Sequence, residues 1–208
     1  MNIDHKVSQL LVSRVCHDLA GGISALGTGA ELLSEDNQMA DEEALSVIAM
    51  SAKQSSARLA FFRMAFGLGG VAGDTVTTDE LKGLVQNFIE GGRLSLVWGA
   101  QNTRISLVPG KLLLNLCLIG VECLPRGGTL RVEVSEIDGR LGFAVSVHGV
   151  GAGLRPGMEG ALAVDADVDL LNARTVHGYF AAILARSLSA EMEISAQETD
   201  EIHLAALM

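Results

Sequence analysis

Positive charge is scarce in this chain, where 15 Lys and Arg stand against 25 Asp and Glu for a formal net charge of −10. Nucleic acids and anionic lipid surfaces recruit basic residues, so neither is expected as a main partner. Aromatic side chains are also few. Trp98, Tyr179 and six Phe are too little for a base-stacking platform. The three cysteines, Cys16, Cys117 and Cys123, form no metal-binding spacing and no even disulfide set, which suggests reduced thiols in a cytoplasmic protein. No run of about 18 apolar residues occurs, and Met1 to Lys6 carries no apolar signal core, so neither membrane insertion nor export is expected. Internal repeats and low-complexity tracts are absent as well. What is present is a chain of 208 residues, 49% hydrophobic, enough for one large domain or two small ones with real cores.

Helical periodicity dominates the first third. Val12, Val15, Leu19, Ile23, Leu26, Ala30 and Leu33 recur every three or four positions and predict a helix over 7–33. At about 100° per residue they fall within a stripe of roughly 80°, the expected bundle seam. A polar link over 34–40 should turn the chain, with Asp41 as the N-cap of a second helix reaching Phe66. Its seam is Leu45, Ile48, Ala52, Ser55, Leu59, Phe62 and Phe66, and Gly67-Leu68-Gly69-Gly70 should end it. Two such helices form an antiparallel hairpin that cannot enclose a core alone, so pairing of two hairpins in a homodimeric four-helix bundle is expected.

Beyond residue 70 the pattern changes. A loop over 71–78 leads to a helix over 79–90 capped by Thr78. Short strands are expected at 94–98 and 104–107, and a helix apolar nearly all round, hence buried, at 111–124 after Pro109. Alternating strands at 129–137 and 141–148 flank Asp138-Gly139-Arg140, a strong hairpin signal. After a glycine-rich turn come a helix over 172–188 and a terminal hairpin of strands 192–196 and 202–207. The expectation is α+β, with a helical hairpin at 1–70 and an α/β sandwich at 71–208 that carries helices on one face.

Within the first helix, His17 lies about 160° from the centre of the apolar stripe and should point outward. Ser13, Ala20, Gly21, Ser24 and Thr28 share that outer face. They are small, so another protein's active site could reach the imidazole. The glycine there lowers helix propensity, which hints at a close approach. Cys16 should be a small buried or half-buried filler, because adjacent helix residues diverge. His148, His177 and His203 lack metal-ligand spacing and read as structural or surface residues, and no metal site is expected.

His17-Asp18-Leu19, followed by Ile23-Ser24-Ala25-Leu26 and Ala30-Glu31-Leu32-Leu33, resembles the dimerisation and phosphoacceptor helix of bacterial sensor histidine kinases, with Gly22 where those kinases often have proline. More specifically, the whole chain resembles the ChpT-type histidine phosphotransferases of bacterial phosphorelays. The matching segments are Arg14-Val15-Cys16-His17-Asp18-Leu19, Phe61-Phe62-Arg63-Met64-Ala65-Phe66-Gly67, Leu112-Leu113-Leu114-Asn115-Leu116, Leu124-Pro125-Arg126-Gly127-Gly128 and Ala173-Arg174-Thr175-Val176. The resemblance implies a dimeric phosphotransferase whose second domain keeps the fold of the kinase ATP-binding domain without its nucleotide function. A working kinase domain has two asparagines four apart, the second a magnesium ligand. Asn115 stands at the first position and Ile119 at the second, and an aliphatic side chain cannot ligate magnesium. The adenine-binding aspartate is also missing ahead of Gly149-Val150-Gly151-Ala152-Gly153, where His148 stands.

The implied chemistry is phosphoryl relay. A neutral imidazole at His17 attacks the acyl phosphate of one receiver domain and passes the group to the aspartate of a second, the receivers bringing the magnesium. By likeness to the kinase acid, Asp18 would take the proton of the other ring nitrogen or orient the ring. Arg14 and Arg58 are candidates to meet receiver or phosphate charge, and no cofactor is expected on this chain. Expected partners are the receiver of an upstream hybrid histidine kinase and the receivers of downstream response regulators. Plainer readings stay open: His17 as an ordinary surface histidine, Asp18 as a solvated helix charge, Arg58 and Arg63 as helix-surface charges, and the small-residue face as plain surface. Two alternative functions also stand, an ATP-dependent histidine kinase and a non-catalytic dimeric adaptor for response regulators.

Overall fold

The structure, a computed structural model, describes the backbone of residues 4–33, 38–67, 74–163, 165–198 and 200–208, and their side chains except at 38–40 and 196–198. Of the expected link at 34–40, residues 38–40 are helical and 34–37 lie outside the described residues, as do the glycines at 69–70, Leu68 and the boundary between residues 70 and 71. Helix α1 spans His5–Leu32 and is capped by Asp4, whose carboxylate accepts the Lys6 amide at 2.7 Å. Helix α2 spans Gln38–Phe66, so Asp41 lies in its first turn rather than at the N-cap. A carboxylate there still meets the positive end of the helix dipole.

The two helices run antiparallel, but the seam between them differs from the expected stripe. The buried residues of the first helix are Val7, Leu11, Arg14 and Gly29, and Gly22 and Gly29 face α2. Val12, Ile23, Ala30 and Leu33 of the predicted seam are instead exposed, as are Leu45 and Leu59 on α2. The reason is steric. A Cβ on Gly22 would lie 2.1 Å from Ser55 Oγ, and one on Gly29 would lie 2.6 Å from Ile48 Cγ1. The hairpin therefore closes backbone to backbone over its glycines, and the larger apolar side chains rotate about a quarter turn outward.

Beyond the hairpin, β1 (Thr75–Thr77) pairs antiparallel with β3 (Arg104–Ser106). This replaces part of the expected loop with a strand. Helix α3 (Thr78–Ile89) is capped by Thr77, one residue earlier than predicted, in a reciprocal box with Glu80. The Thr77 amide and hydroxyl both bond the Glu80 carboxylate and hold it below its ordinary pKa. A five-stranded sheet has the order β2 (Leu94–Trp98), β4 (Gly128–Ile137), β5 (Arg140–His148), β7 (Glu201–Leu207), β6 (Glu191–Glu198). Only the β2–β4 pairing is parallel. Asp138 (φ 52°) and Gly139 (φ 77°) make the left-handed two-residue turn read from the sequence.

Helix α4 (Leu107–Glu122) is buried over most of its length, and its first turn accommodates Pro109, where no amide is needed. A short α5 (Met158–Leu162) and a 3₁₀ turn (Val168–Leu170) lie in what the sequence suggested was turn alone. Helix α6 (Val176–Ser187) starts four residues later than expected, because the Asn172 carboxamide accepts the Arg174 amide at 2.8 Å and forms a side-chain turn first.

Alternating burial along β5 and β7 gives the sheet one covered face, against which α4 packs, with α3 and α6 touching its outer strands β2 and β6. One hydrophobic cluster runs from Val7 and Leu11 through Phe61, Phe62 and Ala65 into α4 and the sheet. Phe61 stacks on Phe88 with centroids 4.3 Å apart, and Phe66 meets Phe180 edge-on at 5.8 Å. These rings fix the hairpin's base to the sheet layer.

Candidate phosphoacceptor site

His17 is displayed as the helical register requires, with its side chain 73% exposed. Its Nδ1 lies 3.1 Å from Asp18 Oδ1. Successive helix residues diverge by about 100°, so this contact needs Asp18 to bend toward its neighbour. The other oxygen, Oδ2, sits 3.0 Å from Arg14 Nη2. Ser13, Ala20, Gly21, Ser24 and Thr28 are all exposed around the histidine, and Gly21 has open space where a Cβ would point.

The two arginines considered for partner contact are both engaged within the chain. Arg14 is buried, its guanidinium between Asp18 and Glu122, so it faces inward rather than toward a docking protein. Arg58 donates from Nη1 to the backbone carbonyl of Asp18 at 2.9 Å and ties α2 to the acid beside the histidine. Cys16, expected as filler, is exposed, because the close seam lies on the far side of α1.

Sequence reasoning missed Glu122, Arg155 and His177. Glu122 closes α4, and its side chain is only 6% exposed. One oxygen meets Arg14, and the other lies 3.1 Å from Arg155 Nε and 3.3 Å from Nε2 of the fully buried His177. Burial would raise the Glu122 pKa, but the hydrogen bond and charge of His177 and the charges of Arg14 and Arg155 outweigh it and hold the carboxyl below its ordinary value. A signal was available in the sequence. Glu122 is the only acid in a mostly apolar helix, placed at the end where the dipole disfavours negative charge. A cleft of about 520 Å³ opens beside these groups, lined by Arg14, Asp18, Arg58, Glu122 and Arg155 among others.

The positions that the resemblance likens to kinase nucleotide ligands make contacts within the chain. Asn115 is fully buried and donates Nδ2 to the carbonyls of Ala65 (3.2 Å) and Lys111 (2.8 Å). Lys111 reaches the Gly67 carbonyl, so both side chains cap the C-terminal end of α2. Ile119 is buried in the core. In the glycine run, the Gly149 and Gly151 amides donate to the Asp200 carbonyl (3.0 Å) and carboxylate (2.6 Å), and the Gly153 amide donates to the Cys123 carbonyl (3.0 Å). Among the described residues no three His, Cys, Asp or Glu side chains cluster as a metal site, and no helix is long and apolar enough to cross a membrane.

A two-helix stem displaying His17, joined to a mixed sheet covered by helices, is the architecture of histidine kinases and the phosphotransferases built like them. The family described as "Histidine phosphotransferase C-terminal domain" matches residues 78–200. Protein phosphotransferase ChpT of Brucella abortus is 34% identical over 193 residues, covering 92% of this chain and 90% of that protein. A solved bacterial phosphotransferase superposes with a TM-score of 0.86 at 30% identity, covering 99% and 98% of the two chains. The histidine kinase domain of a blue-light activated kinase from Erythrobacter litoralis shares the fold at a TM-score of 0.50 and 11% identity, over 91% and 95% of the chains. The chain belongs to the ChpT-type histidine phosphotransferase family.

Proposed function

We propose that this protein relays a phosphoryl group between receiver-domain aspartates through His17, without taking it from ATP. The observation that carries the reading is the exposed imidazole with Asp18 at Nδ1. With Nδ1–H donating to the carboxylate, Nε2 keeps its lone pair and faces solvent. Nε2 attacks the phosphorus of an aspartyl phosphate, the P–O bond to the aspartyl oxygen breaks, and the donor leaves as a carboxylate. The ring then carries the phosphoryl group on Nε2 and positive charge shared with Nδ1–H, which Asp18 offsets. A second receiver's carboxylate reverses the step, with magnesium held on the receiver. The small side chains around His17 leave room for that approach.

Absence of ATP chemistry is supported by residues doing other work. Ile119 offers no oxygen ligand, Asn115 holds the α2 terminus, and the glycine amides are bonded within the chain. This set does not fit a magnesium nucleotide. A homodimer is supported by Val12, Ile23, Leu45 and Leu59, each more than half exposed, Val12 and Leu59 lining one apolar groove across the two helices, which a second hairpin would cover. The test is to mix the purified chain with a receiver domain phosphorylated on aspartate. Acid-labile label should appear on the wild type and not on His17→Ala, which stays folded because the side chain lies outside the core. Label taken from ATP and magnesium alone would establish a kinase instead. Intact signalling output by His17→Ala would establish an adaptor.

A further inference from the structure

The inward register of α1 passes through Val7 and Leu11 and then presents Arg14 where an apolar residue would pack as well. Replacing a buried ion pair by apolar side chains is often neutral for stability, so the charges here call for a role other than holding the fold. Glu122 poses the same question from the other side, since it is an acid buried at the negative pole of an apolar helix. The contacts run in sequence. Arg155 and His177 lie within ion-pair distance of one Glu122 oxygen, the other pairs with Arg14, and Arg14 Nη2 lies 3.0 Å from Asp18 Oδ2. With Oδ2 occupied, Oδ1 is the oxygen facing His17 Nδ1. Adjacent helix residues diverge, so an unrestrained aspartate would leave its neighbour's ring for solvent.

We propose that Glu122, in the C-terminal layer, is a positioning residue for phosphotransfer: through Arg14 it fixes the Asp18 carboxylate that selects the Nδ1–H tautomer of His17 and leaves Nε2 free to attack. This rests on His17 being the phosphoacceptor. The degenerate ATPase-like layer thereby acts on the chemistry through two intervening side chains, Arg14 and Asp18.

The test uses the full chain labelled with ¹⁵N-histidine, the His17 signal being assigned by its loss in His17→Ala. Tautomer populations are read by NMR, and kcat and KM are measured for transfer from a phosphorylated receiver, with a second, unphosphorylated receiver in excess as the acceptor. Glu122→Gln should lower kcat about tenfold, leave KM within about twofold, and move His17 toward the Nε2–H form that predominates in free imidazole side chains. Arg14→Met/Glu122→Gln removes the charge imbalance and should recover the wild-type Tm while kcat and tautomer stay perturbed. Recovery of transfer together with Tm in the double variant would make the pair structural and overturn the inference. An unchanged tautomer, or a rise in KM alone, would overturn it too. If the wild type accepts no label, the phosphoacceptor reading fails instead, and the His17 tautomer still reports on Glu122.

Discussion

Alanine substituted at three glycines of α1 should change stability in three different ways, although intrinsic helix propensity favours alanine by about 1 kcal/mol at each. At Gly21 a Cβ meets nothing within 4 Å, so Gly21→Ala should stabilise by about 0.5–1 kcal/mol. At Gly22 the Cβ would lie 2.1 Å from Ser55 Oγ and 3.7 Å from the Ser51 carbonyl. A serine hydroxyl can rotate away, so gain and cost should cancel to roughly zero. At Gly29 the obstacles are Ile48 Cγ1 at 2.6 Å and the Ala44 backbone carbonyl at 3.3 Å. Neither is the free end of a side chain, and overpacking of this kind costs about 1–3 kcal/mol. Subtracting the propensity gain leaves Gly29→Ala destabilised by about 1 kcal/mol, some 2 kcal/mol below Gly21→Ala. Urea unfolding followed by far-UV circular dichroism, at one fixed protein concentration, resolves that difference. If all three variants rise together, the helices do not approach over Gly22 and Gly29, and the account of why the apolar stripe faces outward fails with them.

Other predictions follow from the same contacts. Asn115→Leu keeps the volume but removes both donations, leaving the buried Ala65 carbonyl without its side-chain partner; it should destabilise by about 1–3 kcal/mol, read as a lower Tm, and an unchanged Tm would mean that Asn115 does not clasp α2. Ile23→Glu places a charge in the outward stripe; analytical ultracentrifugation should find the wild type as the proposed dimer and this variant as a folded monomer, and a monomeric wild type would refute the pairing. Of the three thiols, Cys16 should react with a thiol reagent in the native protein. Cys117 and Cys123 should wait for unfolding, because both are buried, Cys123 being pushed up to about 12 by burial and then by the Glu122 charge. The depressed Glu122 carboxyl contributes stability above the ordinary glutamate range that is lost as pH falls through its lower folded value. Acid titration of Glu122→Gln should therefore lose less stability over that window than the wild type.

Much of the fold could be read along the chain. The two long helices, the buried helix behind Pro109, the Asp138-Gly139 hairpin and the terminal hairpin follow from periodicity and turn chemistry, which act within a few residues. The errors were at ends and short pieces. β1 is three residues long and exists through pairing with β3, a partner nearly thirty residues away. The start of α6 was lost to a local Asn172 turn that competes with helix.

His17 was legible because facing outward is a property of one helix's register, and Asp18 because it is the next residue. Three decisions belonged to the tertiary structure. Which apolar stripe closes the hairpin depends on how near two backbones can come, a distance set jointly by Gly22, Ser55, Gly29 and Ile48. Whether Arg14 points at solvent or at Glu122 depends on where the end of α4 lies against α1, more than a hundred residues away in sequence. The occupation of the Gly149 and Gly151 amides depends on Asp200 returning from the last hairpin. The sequence by itself thus determined the long helices and the two hairpins, and that an imidazole is offered on the outer face of the first helix. The charged chain behind that imidazole came only with the assembled layers, because electrostatic partners are selected by proximity in space, which local periodicity does not encode.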